Sequence, residues 1–191
     1  MTGELKDRDE SWPVISSTDL YRTDWVMALR QDTLRPPAGD ETFDRLVLEH
    51  PGAVIVLAVD DEDRAYCLWQ YRHPARRRFV ELPAGLLDTA GEGPLDAARR
   101  ELREEAGLEA SNWTPLGTTW SSPGISAEEM HYFLARGLTA VDHEFERAHE
   151  EADMEGDWVP IADLRAAVLA GDIGDAPLVV AVLLADAKGL L

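Results

Sequence analysis

Three glutamates crowd one side of a predicted helix near the middle of the chain. The helix is predicted to begin at Pro94, whose missing N–H suits the first turn, and to end before Gly107, which suits the left-handed position after the last turn. The glutamates are spaced i, i+3 and i+4 along it: Glu101, Glu104 and Glu105. Like charges at this spacing repel one another, and near a helix C-terminus they also oppose the helix dipole. A divalent cation such as Mg²⁺ would relieve both effects, because it prefers carboxylate oxygens.

The same helix has a second interpretation, in which the glutamates form a solvated acidic face. Three arginines of the helix are available as ion-pair partners: Arg99, Arg100 and Arg103. Ion pairs of this kind are common on helix surfaces, and each contributes little free energy. For an arbitrary helix this is the more frequent case, so the spacing of the glutamates alone does not establish a metal site.

The residues around the glutamates resemble a known motif, the Nudix box. Residues 100–108 read R-E-L-R-E-E-A-G-L, which matches the helical half of that motif, R-E-U-x-E-E-x-G-U with U aliphatic. Glu92 lies at the expected spacing, with seven residues between it and Arg100. Six residues separate Gly85 from Glu92, where the family usually has five. We interpret the difference as a one-residue insertion in the loop before the helix.

The resemblance implies the fold and the metal site of the Nudix family. The expected fold class is α/β: an α/β/α sandwich with a mixed sheet between helices, preceded by an N-terminal antiparallel strand meander. The expected ligands of Mg²⁺ (or Mn²⁺) are oxygen donors at four positions: Glu101, Glu104, Glu105 and the backbone carbonyl of Ala84. Glu104 is in addition a candidate catalytic residue. Glu92 and Arg100 are expected to pair and to hold the loop of the box against the helix.

A charged segment, residues 141–156, is expected to supply the catalytic base. It is rich in Asp and Glu, and most of these side chains are expected to be solvated. A hydrolase that attacks a diphosphate needs a base to orient or deprotonate water. In the enzymes that this chain resembles, that glutamate comes from a loop at this place. The match of E-E-A-D-M to the loop puts it at Glu150, with Glu151 next to it.

An arginine-rich segment, residues 71–79 with the sequence Y-R-H-P-A-R-R-R-F, interrupts an otherwise acidic chain. One interpretation is a solvated loop that balances nearby acids. The other is that one or two of its arginines bind phosphate, because the planar guanidinium forms paired charge-assisted hydrogen bonds. We choose Arg72 for this role, since it follows a predicted strand, residues 65–71, that should lie beside the site.

Two segments resemble the ADP-ribose pyrophosphatase branch of the Nudix family. The run Q-Y-R-H-P looks like the run that precedes the box in those enzymes. Pro123, which Gly124 follows, lies 15 residues after Leu108, where that branch has a characteristic proline. The resemblance implies hydrolysis of ADP-ribose to AMP and ribose 5-phosphate. It also implies that Arg72, Pro123 and Gly124 bind the substrate.

Three alternatives remain open. Nudix enzymes that act on another nucleoside diphosphate sugar, or on a nucleoside triphosphate, share the box entirely. A non-catalytic nucleotide-sugar sensor would be expected to lose the carboxylates or to carry a basic DNA-binding module, and this sequence does neither. A structural metal-binding protein would need neither Arg72 nor the loop at Pro123.

Residues 1–50 are predicted to form the N-terminal strand meander and residues 51–191 the hydrolase domain. Three strands are predicted in the meander: residues 14–17, 25–32 and 43–49. They carry apolar side chains that so small a sheet does not bury alone. In the enzymes that the chain resembles, this part packs across a two-fold axis and helps to build the partner's adenine site. We therefore expect a homodimer with an interface above about 2,000 Å², and substrate-binding roles for Trp25 and Arg30.

Strands and helices are predicted to surround the box in the hydrolase domain. Besides a strand-like run just before the box, five strands are predicted, with a hairpin turn at residues 60–64 between the first two: residues 52–59, 65–71, 113–120, 130–135 and 158–161. Two helices follow, at residues 162–170 and 177–187. The last helix is strongly apolar but too short to span a bilayer, so we expect it in the core or in a subunit interface.

Composition excludes several classes of function. The formal net charge of −19 argues against nucleic acid or an anionic membrane as a partner, because both require a positive field. The single cysteine, Cys67, excludes an internal disulfide and is predicted to be a core residue. Neither a signal peptide nor a membrane-length apolar run is recognisable, so the chain is expected to be cytoplasmic.

Overall fold

A computed structural model of the chain describes residues 5–142 and 153–191. The described residues contain ten strands and three helices and form two compact units. The first unit comprises residues 5–50 and Ser122–Ala127, and the second unit comprises the remainder of the described chain. No helix in the described ranges is long and apolar enough to cross a membrane.

The first unit is an antiparallel sheet of three strands, as predicted. They are β1 (Val14–Arg22), β2 (Ala28–Leu34) and β3 (Phe43–Glu49), in that spatial order. Residues Ser122–Ala127 join this unit, because Leu48 donates to the carbonyl of Ile125 at 2.7 Å and accepts from the N–H of Ala127 at 3.0 Å. Every residue of β1 is exposed, so the sheet has little core of its own.

The second unit contains two sheets. The strands of the mixed sheet are β4 (Ala53–Ala58), β7 (Ala84–Leu86), β8 (Leu108–Trp120) and β9 (Glu129–Ala140). Those of the antiparallel sheet are β5 (Arg64–Arg72), β6 (Arg77–Glu81) and β10 (Glu155–Pro160). The spatial orders are β7-β4-β9-β8 and β10-β5-β6, and β4 runs parallel to β9.

Three helices pack on the mixed sheet and beside it: α1 (Pro94–Ala106), α2 (Ile161–Ala170) and α3 (Ala176–Ala187). Alternate residues of the central strand β4 belong to two hydrophobic clusters. One cluster joins β4 to α1 through Val54, Val56, Ala58, Ala97, Ala98 and Leu102. The other joins β4 to α3 through Ile55, Leu57, Val59, Leu178, Ala181 and Val182. Because helices cover both faces of β4, the predicted α/β/α sandwich is confirmed.

Several elements differ in extent from the prediction. β6 forms inside the arginine-rich segment, because it pairs with β5 from Leu68↔Glu81 to Arg72↔Arg77 across a turn in which Arg76 has φ 51°. β8 begins at Leu108 rather than at residue 113, since β8 and β9 pair along nearly their whole length. Cys67 is buried in the core, as predicted, and burial raises the pKa of its thiol to about 12.

Candidate active site

Helix α1 buries two carboxylates together with its apolar face. The helix ends, as predicted, at Gly107, which adopts φ 63°. Leu102 is fully buried, and Glu101 and Glu105 beside it are each only 8% exposed. The packing that buries the leucine therefore also removes two charged groups from water, which is unfavourable unless a partner compensates them.

Both buried carboxylates lie against the backbone of β7. The N–H of Ala84 donates to Oε2 of Glu105 at 2.8 Å. Glu101 lies so close to Gly85 that a Cβ on that glycine would be 2.0 Å from Cδ of Glu101. Only a glycine leaves room for the carboxylate in this position, which gives the first residue of the box a packing role.

The register of β4 and β7 determines the direction of the Ala84 carbonyl. The N–H of Val56 donates to the carbonyl of Pro83 at 2.8 Å. Because backbone groups alternate along an antiparallel strand, the next residue, Ala84, directs its N–H and its carbonyl away from β4. Its N–H meets Glu105. Its carbonyl is therefore directed to the same unpaired edge of β7 as the Glu105 carboxylate.

Arg100 connects the loop of the box to the carboxylates. Its Nε and Nη2 donate to Glu92 at 3.0–3.3 Å, so the predicted pairing of Glu92 with Arg100 is confirmed. Its Nη1 donates to Glu101 at 2.5 Å and to Glu104 at 3.2 Å, and Nη2 also reaches the carbonyl of Leu86 at 3.4 Å. One guanidinium thus serves three glutamates.

The charge of Glu101 is only partly compensated. Burial raises the pKa of its carboxyl to about 7, against the lowering effect of the Arg100 guanidinium, and the charges of Glu104 and Asp88 raise it further. A cation beside this group would favour its charged form. The electrostatics of the site therefore favour a bound positive charge.

The donor atoms at this site fit a hard divalent cation. Among residues 5–142 and 153–191, no three His, Cys, Asp or Glu side chains already converge as a metal-binding group. The site offers instead the buried carboxylates of Glu101 and Glu105, the partly exposed carboxylate of Glu104, and the Ala84 carbonyl. All of these donors are oxygens, the type that Mg²⁺ and Mn²⁺ prefer.

The second unit also contains the arginine-rich segment. Nε and Nη2 of Arg72 donate to Oε1 and Oε2 of Glu81 at 2.9 and 2.7 Å. Nη1 of Arg78 donates to the carbonyls of Trp69 and Asp153 at 3.0 and 2.9 Å, and its Nη2 pairs with the Asp153 carboxylate. Arg72 and Arg78 therefore have different partners although both lie near the β5–β6 turn.

Other predicted site residues lie elsewhere. Trp25, Arg30, Pro123 and Gly124 belong to the first unit. Trp25 is 63% exposed, and Arg30 pairs with Asp32 at 3.0 Å and with Glu49. The predicted bases Glu150 and Glu151 lie outside the described residues.

Two polar residues near Arg72 were missed by the sequence analysis. Glu81 stands in the E-L-P-A-G run just before the box, where a buried acid between apolar residues is a signal for a paired charge. Asp175 precedes Ala-Pro at the start of α3 and accepts from the N–H of Leu178 at 2.8 Å, as a helix N-cap does. Burial raises the pKa of Asp175 to about 6.

The NUDIX domain family matches residues 49–182 of this chain. The chain belongs to the Nudix family. Nudix hydrolases generally use a divalent metal, which agrees with the oxygen donors around Glu101 and Glu105. The box predicted from residues 85–108 lies inside the matched region.

Relatives of known name extend the similarity beyond the box. An ADP-ribose pyrophosphatase of Mycobacterium tuberculosis (strain ATCC 25618 / H37Rv) is 47% identical over 165 residues, which are 86% of this chain and 78% of the relative. An ADP-ribose pyrophosphatase of Bacillus subtilis (strain 168) is 42% identical over 107 residues, 56% of this chain and 57% of the relative. A crystal structure of an ADP compounds hydrolase has a TM-score of 0.76 over 97% of this Nudix chain and 100% of that chain, at 20% identity, and supports the fold.

Proposed function

We propose that the protein hydrolyses the diphosphate bond of ADP-ribose to AMP and ribose 5-phosphate. The observation that carries this proposal is the pair of buried carboxylates, Glu101 and Glu105, held against the backbone of β7 within a Nudix box. The substrate is inferred from the similarity to two ADP-ribose pyrophosphatases and from the run Q-Y-R-H-P.

The carboxylate cluster, formed by Glu101, Glu104 and Glu105, is the proposed metal site. Mg²⁺ or Mn²⁺ is the proposed ion. Glu101, Glu105 and the carbonyl of Ala84 would hold it, with Glu104 as a further ligand or a catalytic residue. When bound, the cation would neutralise the diphosphate and lower the pKa of a water molecule. Arg100 fixes Glu101 and Glu104 from one side through its hydrogen bonds.

Residues outside the cluster would bind the substrate and activate water. Arg72 would bind a phosphate oxygen, since part of its guanidinium remains directed away from Glu81. Pro123 and Gly124 would contact the substrate. Glu150, or its neighbour Glu151, would orient or deprotonate the attacking water.

Residues 1–50, whose described part belongs to the first unit, are proposed to form a homodimer, and residues 51–191 to form the hydrolase domain. Large apolar side chains are 48–63% exposed on the first unit: Val14, Ile15, Leu20 and Trp25. Exposed apolar side chains of this size are available for burial in a subunit interface. In the dimer, Trp25 and Arg30 would contact the base or the diphosphate in the partner's site.

Light scattering on the full chain tests the dimer. The variant Leu20→Asp should dissociate the dimer and weaken substrate binding. A wild-type protein that is monomeric and fully active would contradict the proposal.

A substrate panel tests the reaction itself. Purified protein with Mg²⁺ is given ADP-ribose, other nucleoside diphosphate sugars and nucleoside triphosphates, and products are separated by ion-exchange chromatography. We expect the highest kcat/KM with ADP-ribose and products AMP and ribose 5-phosphate. A higher kcat/KM with another substrate would replace ADP-ribose by that substrate. Binding of nucleotide sugars without turnover of any would contradict the hydrolase and favour a sensor.

A further inference from the structure

A buried glutamate on the neighbouring strand holds Arg72. Both oxygens of Glu81 accept from one edge of the guanidinium, formed by Nε and Nη2, at 2.9 and 2.7 Å. The side chain of Glu81 is 8% exposed, whereas that of Arg72 is 49% exposed. An acceptor with a fixed position therefore holds a side chain that solvent would otherwise leave mobile.

The register of β5 and β6 shows that the side chain of Arg72 points back along the strands toward Glu81. Glu81 lies opposite Leu68, and Arg72 lies opposite Arg77. Residues opposite and at even spacing share a face, so Arg72 and Glu81 lie on the same face but at different levels along the strands. To reach Glu81, the guanidinium must lie back along the sheet instead of extending beyond its end. Loss of the carboxylate would release it.

Two more carboxylates act on the same guanidinium. The pKa of Arg72 is raised mainly by the hydrogen bond to Glu81, and the charges of Glu105 and Asp175 raise it further. Glu105 belongs to the carboxylate cluster of α1, and Asp175 caps α3. Gly174, just before the cap, lies beside β6, because a Cβ on this glycine would be 3.4 Å from Cε1 of Phe79. The position set by Glu81 thus places the guanidinium within electrostatic reach of the carboxylate cluster.

The second edge of the guanidinium is directed away from Glu81. Within the described residues, Nη1 of Arg72 has no hydrogen-bond partner. Resting on the function proposed above, we propose that Glu81 is a positioning residue, which holds Arg72 so that its Nη1 edge meets the diphosphate of the substrate beside Glu105. An arginine already fixed at one edge loses little side-chain freedom when the other edge binds phosphate. Glu81 itself does not touch the substrate.

Kinetics of paired variants test the role of Glu81. Glu81→Gln keeps the size of the side chain and removes its charge, so we expect KM for ADP-ribose to rise at least tenfold while kcat changes less than threefold. Glu81→Asp keeps the charge and should recover part of the loss. In an Arg72→Ala background, Glu81→Gln should change KM by less than twofold, because the side chain that it positions is gone. The matched control is Asp186→Asn, which breaks the exposed Arg165–Asp186 pair (2.7 Å) and should leave KM unchanged.

These outcomes separate the inference from the proposed function. If the wild type hydrolyses ADP-ribose and Glu81→Gln has the wild-type KM, the inference is wrong and the function stands. If the wild type hydrolyses no nucleoside diphosphate derivative, the function fails. In either case the ¹⁵N-edited NMR signal of the Arg72 Nε–H, assigned by its loss in Arg72→Ala, reports the pairing directly. We expect slow exchange with water in the wild type and in Asp186→Asn, and fast exchange in Glu81→Gln; an equal rate in the wild type and Glu81→Gln would overturn the inference.

Discussion

Glu81 and Glu101 are buried to nearly the same degree, at 6% and 8% exposure, but their charges are compensated in different ways. Glu81 accepts two hydrogen bonds from one guanidinium, that of Arg72. Glu101 shares the guanidinium of Arg100 with Glu92 and Glu104, and burial raises its pKa to about 7.

The difference separates a structural charge pair from a site that favours a cation. When a buried carboxylate forms a bidentate pair with an arginine, the guanidinium neutralises most of its negative charge. A group of carboxylates that outnumber their arginine stays unfavourable in the absence of another positive charge. The same residue type, at the same depth, thus positions a side chain at Glu81 and is proposed to bind metal at Glu101.

The largest effect is expected from removing a carboxylate of the cluster. Glu105→Gln should lower kcat by two or more orders of magnitude, about 3 kcal/mol or more in the activation free energy, without unfolding the protein. Steady-state kinetics with Mg²⁺, and circular dichroism as the check on the fold, measure it. The control is Glu62→Gln, whose side chain is 75% exposed. Full turnover of the wild type in excess EDTA would contradict the proposed metal site.

A methyl group at Gly85 tests whether the position of Glu101 matters as much as its charge. In Gly85→Ala, the added Cβ would overlap the Glu101 carboxylate, which must move. We expect kcat to fall by roughly tenfold or more, on the order of 1.4 kcal/mol, and stability to fall by about 1–3 kcal/mol as in other overpacked sites. Gly93→Ala is the matched control, because nothing lies within 4 Å of its Cβ position. Equal activity of both variants would show that the close contact at Gly85 has no role in catalysis.

An intermediate effect on kcat/KM is expected from removing the side chain of Arg72, and a smaller one from removing that of Arg78. Arg72→Ala should lower kcat/KM by roughly 1.5–3 kcal/mol, the contribution of a hydrogen bond to a charged group. Arg78→Ala should lower it less, because the guanidinium of Arg78 is committed to Trp69 and Asp153. Kinetics with ADP-ribose measure both variants. Small, equal losses of kcat/KM in the two variants would show that the arginine-rich segment is a solvated surface with no role in substrate binding.

The features of α1 and of the loop before it were predicted from the sequence, because they depend on the spacing of residues close together in the chain. The helix from Pro94, its end at Gly107 and the Glu92–Arg100 pair all follow from residues close together in the chain, and all are confirmed. So is the Nudix family, which the box identified. The ligand set and the substrate-binding residues remain predictions.

The partner of Arg72 was missed because it depends on strand pairing. Residues 71–79 contain four arginines and a proline, which favour a loop, and β6 forms there only because β5 offers a paired edge. The register of that pair then brings Glu81 to the same face as Arg72, and the packing of α3 brings Asp175 near both. Such contacts between separate elements leave no periodic signal in the sequence.

The smallest effect is expected at Asp175, the third acid near Arg72, and it depends on pH. Burial raises the pKa of Asp175 from its usual 3.8 to about 6, against the hydrogen bond from Leu178, with Glu81 raising it and Arg72 lowering it. Between these two pH values the folded state binds more protons at this position than the unfolded chain does. The free energy of unfolding therefore falls as pH rises from about 4 to about 6 and is constant above that range for this group.

Asp175→Asn keeps an acceptor for the N–H of Leu178 and removes the charge, so it should remove this pH dependence. Relative to the wild type, we expect the variant to be equally stable near pH 4 and more stable by about 1 kcal/mol or more at pH 8. Urea unfolding at several pH values measures the difference, and Asp186→Asn, in an exposed ion pair, should show no such trend. A constant difference between the variant and the wild type across this range would mean that Asp175 is ionised in the folded state throughout. In that case Arg72 compensates the charge of Asp175 as fully as that of Glu81, and only the carboxylates of α1 would favour an additional cation.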